Sequence, residues 1–262
     1  MNILFEIAEK TRERVEERKK QISLEEIKAR AEALAKDFDG EYKFYNALSG
    51  EGIHLICEAK KASPSKGLIA ENFDYVNIAK DYENGGASAI SVLTEPYWFL
   101  GSDEYLKEIR QNVSLPILRK DFTIGDYMIY EAKCLGADAV LLICMLMDDD
   151  TLKHQIQLAE SLGLSALVET HSGDEIEMAI SAGAKIIGVN NRNLTDFSVD
   201  VSLSGKYREK VPKNILFVAE SGIKDEEQVR ALEVQGVNAV LIGETLMRAE
   251  NRAEAVRRFL GR

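Results

Sequence analysis

A short phrase returns four times along the chain: Gly86-Ala87 ahead of AISVLTE, Gly136-Ala137 ahead of AVLLICM, Gly183-Ala184 ahead of IIGVNNR and Gly236-Val237 ahead of AVLIGET, at intervals of 50, 47 and 53 residues. Each time an amphipathic helical pattern stops at Gly, which enters the left-handed region at a helix C-terminus without a Cβ penalty, and an aliphatic run follows. Each interval holds a second aliphatic run, PILRKDF from Pro116, SALVET from Ser165 and ILFVAE from Ile215, and IHLICEAK from Ile53 precedes the series. Eight strands alternating with helices predict an α/β chain folded as a parallel (β/α)8 TIM barrel. An open doubly wound sheet is the weaker reading, because no GxGxxG follows the first strand.

Helix starts agree with this order. Ser172 with Glu175 reads as a capping box, and Asp148 to Thr151 opens another helix. Ahead of the first strand, two charged amphipathic helices are expected over 3–20 and 24–36. Residues 1–45 thus read as an N-terminal helical extension of one barrel domain spanning 1–262. Its run RERVEERKK reads as a solvated helix face.

A chain of 262 residues is long enough to bury a large core. Against 33 Lys plus Arg stand 44 Asp plus Glu, a net charge of -11 that repels nucleic acid and anionic membrane surfaces. Cys57, Cys134 and Cys144 lie in apolar stretches without CxxC spacing, which argues for reduced core thiols rather than disulfides or zinc. The first residues lack the apolar core of a signal peptide, and no stretch reaches the roughly 20 apolar residues of a membrane span. The expectation is a cytoplasmic protein with no nucleic-acid or membrane partner.

Alternation along CEAKKASPSKG sets Glu58 and Lys60 on one face with Ile56, and Leu55, Cys57 and Ala59 on the other. The small apolar set should meet the helices, leaving Glu58 and Lys60 inside the barrel at its C-terminal rim, where active sites of this fold lie. The same end-of-strand position carries Lys120 and Phe122 in LRKDF, Glu169 in LVETH, Asn190 and Arg192 in GVNNRN, and Glu220 with Ser221 in VAESGI. So many polar groups at corresponding strand ends would cost stability if they were buried without function. Turns holding Gly222 with Ile223, and Gly243 with Glu244, follow the last two strands and read as a phosphate site. His54 and His154 read as packing or surface residues, and His171 as a neighbour of the site. Trp98 and Phe99 are candidates for the wall of an aromatic substrate.

In this order the residues resemble the indole-3-glycerol phosphate synthase family. The resemblance runs through the whole chain: ILFEIAEKTRERVEERK, CEAKKASPSKG, SVLTE, LRKDF, YEAK, GADAVLLI, LVET, GVNNRNL, AESGI and LIGETLM. Ala59, where the family usually has a larger apolar residue, and the YWFL segment after Glu95 depart from it.

The resemblance implies closure of 1-(2-carboxyphenylamino)-1-deoxyribulose 5-phosphate to an indole, with loss of carbon dioxide and water. It implies Lys120 as general acid toward the ketose oxygen, made readier to give its proton by burial beside Lys60. Glu169 would serve as general base or in hydroxyl departure, with Glu58 and Lys60 as a second acid-base pair. Asn190, Arg192 and Ser63 would orient the substrate, Glu220 and Ser221 would line the floor, and backbone around Gly222 and Gly243 would hold phosphate. No metal or organic cofactor is implied. A monofunctional enzyme, monomeric or weakly dimeric, is expected. Lysines in a dry mouth can bind a phosphate and a carboxylate on an acidic protein, because local charge at low effective dielectric outweighs a screened distant field. The alternatives are another phosphate-binding barrel enzyme such as phosphoribosylanthranilate isomerase, or a non-catalytic barrel that binds a phosphorylated metabolite.

Overall fold

The computed structural model describes residues 3–193 and 197–262, so Leu194 of GVNNRNL lies outside the described residues. Three helices come first: α1 (Ile3–Lys19), α2 (Leu24–Ala35) and α3 (Lys43–Leu48). The chain then enters β1 (His54–Ala59), a hairpin of β2 (Ala62–Ser63) and β3 (Gly67–Leu68), and α4 (Tyr75–Gly85). Strand and helix alternate from there through β4 (Ala89–Leu93), α5 (Asp103–Asn112), β5 (Ile117–Lys120), α6 (Asp126–Leu135), β6 (Ala139–Ile143) and α7 (Asp149–Ser161). They continue through β7 (Ser165–Thr170), α8 (Gly173–Ala182), β8 (Ile186–Asn190), α9 (Ser202–Arg208), β9 (Leu216–Glu220), α10 (Glu226–Val234), β10 (Ala239–Ile242), α11 (Glu244–Met247) and α12 (Arg252–Phe259). Eight of the strands close a parallel barrel in the order β1-β10-β9-β8-β7-β6-β5-β4, with β4 returning to β1. This is a (β/α)8 TIM barrel, and all eight expected strands are in it.

The repeated glycines act as the sequence requires: Gly86, Gly136 and Gly183 cap α4, α6 and α8 at φ of 91°, 86° and 90°. Asp148 accepts from Thr151 N at 2.8 Å, and Ser172 from Glu175 N at 3.2 Å. The reciprocal bond of the expected capping box is displaced by one residue, because Glu175 accepts from His171 N rather than from Ser172 N.

Alternation along the strands divides the apolar residues into two layers. Leu55, Cys57 and Ala59 join the layer between strands and helices, while Ile56, Leu118, Leu141, Leu167, Val218 and Leu241 fill the barrel. Cys57, Cys134 and Cys144 are free thiols. Helix α3 escapes the sequence reading because it is only six residues long. It plugs the N-terminal end of the barrel with Phe44 and Leu48, which pack in one cluster with strand-opening residues such as Ala89, Ala139 and Ile186. Each of these two side chains contributes roughly 1.5–3 kcal/mol relative to exposure.

The solvated reading of RERVEERKK holds for most of the run and fails at Arg14, which is buried against the barrel while Arg12, Glu13, Glu16 and Glu17 are exposed. Leu4, Ile7, Thr11 and Arg14 form one stripe at helical spacing, and a charged residue within it hid the period. Among the described residues no helix is long and apolar enough to cross a membrane, and no group of three or more His, Cys, Asp or Glu side chains could hold a metal ion.

Candidate active site

The top layer inside the barrel is polar where the layers beneath are aliphatic. Strand registers pair Glu58 with Ser91, Leu93 with Lys120, Glu169 with Gly188, and Asn190 with Glu220, which brings the inward side chains of these strand ends to one mouth. There they line a cavity of about 960 Å3. Glu58, Lys60, Ser63, Lys120, Phe122, Glu169, Asn190, Arg192, Glu220, Ser221, Gly222, Ile223, Gly243 and Glu244 all border it. The strand-end candidates and those of the two glycine turns therefore all sit at this cavity.

Lys120 Nζ lies 3.0 Å from Glu169 Oε2 and 3.2 Å from Glu220 Oε2. Glu58 Oε1 lies 2.7 Å from Lys60 Nζ, and Glu58 Oε2 accepts from Ser91 Oγ at 3.2 Å. The expectation that Lys120 sheds its proton easily beside Lys60 is overturned. Burial alone would pull its pKa down, but Glu169, Glu220 and Glu58 outweigh burial and raise it well above the ordinary lysine value. In the free enzyme Lys120 is a firmly held ammonium.

Three buried carboxylates share two ammonium groups, so one carboxylate is in excess. Glu169 keeps its charge: burial opposes ionisation, but Lys120, His171 and the Asn190 amide at 3.1 Å hold its carboxyl down at about 2. Lys60 and Lys120 likewise overcome burial at Glu58 and lower its pKa. Glu220 takes the excess proton. Burial, with Glu169 and Glu58 adding to it against Lys120, pushes its carboxyl up to about 7, and its buried Oε1 has no hydrogen-bond partner among the described residues.

A carboxyl whose folded pKa is raised adds stability below its unfolded pKa and loses it as pH rises through the folded value. As pH rises from the ordinary carboxylate range toward neutrality, Glu220 therefore makes folding progressively less favourable. Glu220→Gln is expected to flatten this decline, measured as urea midpoints from pH 4.5 to 8. Parallel curves for the two proteins would show that Glu220 does not hold the proton.

Two glycines make room for the charges. A Cβ on Gly188 would strike Glu220 Oε1, and one on Gly243 would come within 2.6 Å of Glu58 Oε1 and 3.1 Å of Lys60 Nζ. Carboxylates can lie against bare backbone at both places. Beside them, Ser221 takes a φ of 68°, uncommon for a residue with a side chain and a mark of a turn held by its surroundings.

The aromatic wall is formed by Phe99 and Phe122, whose ring centroids are 6.0 Å apart. Of the two residues expected at such a wall, Phe99 borders the cavity and Trp98 does not. The buried Glu95 carboxylate accepts the amides of Tyr97, Trp98 and Phe99 at 2.8, 2.8 and 2.9 Å, turning the YWFL segment so that Phe99 faces the cavity. His54 Nδ1 contacts Ser88 Oγ at 3.2 Å, and His154 pairs with Asp126 on the exposed face of α7. His171 Nε2 lies 3.5 Å from Glu169 Oε1, where it adds positive character beside that carboxylate.

Ile3, Leu4 and Ile7 of α1 also border the cavity, a contribution the sequence reading left out. So did it omit Asp121, buried directly after Lys120 and bonded to Arg14.

The family model described as "Indole-3-glycerol phosphate synthase" matches residues 4–259. A protein of that name from Ruminiclostridium cellulolyticum is 56% identical over 94% of this chain and 94% of its own length. Another, from Endomicrobium trichonymphae, is 53% identical over 97% of this chain and 98% of its own. Among solved structures, 3-hexulose-6-phosphate synthase from Salmonella typhimurium superposes with a TM-score of 0.65 at 17% identity, over 80% of this chain and 97% of that one, a likeness of fold.

Proposed function

The chain belongs to the indole-3-glycerol phosphate synthase family, and from its cavity we propose how its residues divide the work of the decarboxylative, dehydrative ring closure that ends in indole-3-glycerol phosphate. The substrate, 1-(2-carboxyphenylamino)-1-deoxyribulose 5-phosphate, carries a phosphate at one end and a benzoate ring at the other. Its phosphate lies at the turns of Gly222–Ile223 and Gly243–Glu244, and its ring against Phe99 and Phe122. Ser63, Asn190, Arg192 and Ser221 orient the sugar hydroxyls and the carboxylate, while Glu220 forms the floor.

In the first step the ring carbon bearing the carboxylate attacks the ketose carbonyl carbon, and Lys120 delivers a proton to the carbonyl oxygen, which becomes a hydroxyl. Carbon dioxide then leaves, and its bonding pair restores the aromatic ring. In the second step the nitrogen lone pair, acting through the ring, expels that hydroxyl, which takes a proton from Lys60 and leaves as water, and the methylene carbon beside the nitrogen gives up a proton to Glu169 to form the indole double bond. Glu169 serves as the base of this dehydration, and Glu58 with Lys60 is the second acid-base pair.

The observation that carries this division is the single Lys120 ammonium held between Glu169 and Glu220. Losing its proton to substrate removes the charge that depresses Glu169, so the carboxylate becomes a stronger base when the next step needs one. A firmly held ammonium is a weak acid in the free enzyme, and oxyanion character developing within its hydrogen-bond reach supplies the missing drive.

The same reading takes residues 1–262 as one barrel domain that works in the cytoplasm without metal or organic cofactor, as a monomer or weak homodimer. The net charge of -11 supports the absence of nucleic-acid partners. Purified protein is expected to produce indole fluorescence from the carboxyphenylamino sugar phosphate, with inorganic phosphate as a competitive inhibitor. No indole formation would end the reading, and turnover without phosphate competition would remove the phosphate site from the two turns.

A further inference from the structure

Arg14 is separated from Asp121 by 107 residues, yet its Nη2 lies 2.8 Å from Asp121 Oδ1, with both side chains almost wholly buried. The same Oδ1 accepts from Phe122 N at 2.8 Å, and Oδ2 accepts from Thr94 Oγ1 at 2.7 Å. Arg14 Nη1 reaches Thr94 O at 3.4 Å, while Thr94 N donates to Lys120 O at 3.1 Å. One guanidinium thus grips the ends of two neighbouring strands. Strand β5 ends at Lys120, with Phe122 two residues on; beyond β4 comes Glu95, whose carboxylate sets Phe99.

We propose that Arg14 is a positioning residue for ring closure, fixing Lys120 and the Phe99–Phe122 wall through Asp121 and Thr94. The inference rests on the roles given to those residues above. A simple anchoring duty does not account for it, because α1 has other attachments. Arg18 pairs with Asp103 at 2.7 Å and Glu131 at 2.6 Å, and Leu4, Ile7 and Val15 are buried. Nor does Asp121 depend on Arg14 alone for its charge, since Arg119 Nη2 lies 3.8 Å away. Arg14 adds geometry: Asp121 is held from the α1 side, so its bond to Phe122 N cannot swing. A displacement of about 1 Å at a reacting group can cost a hundredfold in rate.

The test compares Arg14→Met and Arg14→Lys with the unaltered protein at a temperature where circular dichroism shows all three folded. For Arg14→Met we expect kcat to fall about ten- to a hundredfold, with an unchanged inhibition constant for inorganic phosphate, since the turns proposed to hold it follow β9 and β10 rather than the β4 and β5 ends that Arg14 grips. Arg14→Lys, still able to bond Asp121, should recover most of the rate. Unchanged kcat in folded Arg14→Met would overturn the proposal, as would a loss of phosphate inhibition in step with kcat, the sign of general loosening. If Arg14→Met does not fold, Arg14→Met/Asp121→Asn removes the uncompensated carboxylate and should show the same rate loss. Full activity in that double variant would also overturn the proposal. If the unaltered protein makes no indole, the fault lies with the proposed function and not with Arg14.

Discussion

Lys120→Met is expected to lower kcat by about two to four orders of magnitude, the usual loss when a general acid is removed. Methionine keeps the length and apolar stem of lysine, so the aliphatic layer beneath the site should pack as before. The missing charge leaves Glu169 and Glu220 facing each other, and breaking a buried ion pair in this way typically costs 3–5 kcal/mol. Here the cost should be smaller, because Glu220 already binds a proton near neutral pH and can stay neutral. Inhibition by inorganic phosphate should survive, since neither glycine turn contacts Lys120 through an ion pair or hydrogen bond. Indole fluorescence for turnover, a phosphate inhibition series and a thermal melt measure all three. A folded Lys120→Met protein with kcat within tenfold of the original would remove Lys120 from the chemistry.

The barrel was legible because its signal is repeated. Four Gly-terminated helices ahead of aliphatic strands repeat one physical device, and eight short aliphatic runs, apolar on both faces, leave few ways to be buried other than a parallel sheet covered by helices. The site was legible for a related reason. Lys120, Glu169 and Glu220 interrupt aliphatic runs at the strand ends, and that breach of pattern marks function.

Other features had no local signal. Lys120 and Lys60 look equivalent in sequence, but registers set each beside different carboxylates, so the proton affinity of Lys120 followed from three-dimensional neighbours and was misjudged. Arg14 lay in a charged run that resembles any solvated helix face. Its partner is 107 residues away, a separation no helical or strand period can report. Helix α3 was too short for a periodicity to emerge, although Phe44 and Leu48 carry the cap on the barrel floor.

Glu169→Gln offers a different test, because it should separate the two halves of the reaction. Gln keeps the size of Glu169 and can still accept a bond from the Asn190 amide, but it cannot take up a proton. Lys120 would lose Glu169 as a counter-ion, but Glu220 at 3.2 Å, freed of that carboxylate's repulsion, gives up its proton more readily, so Lys120 remains charged and can still protonate the ketose oxygen. Ring closure and loss of carbon dioxide should therefore proceed at a rate within about tenfold of the original. Dehydration should slow by about two to three orders of magnitude, as expected for a missing general base. In a single turnover carbon dioxide would appear first and the indole chromophore much later, whereas the original protein releases both together if closure limits the rate. If the two signals slow equally in Glu169→Gln, the carboxylate acts at ring closure. In that case the proton that leaves Lys120 is not what prepares Glu169 for the second step.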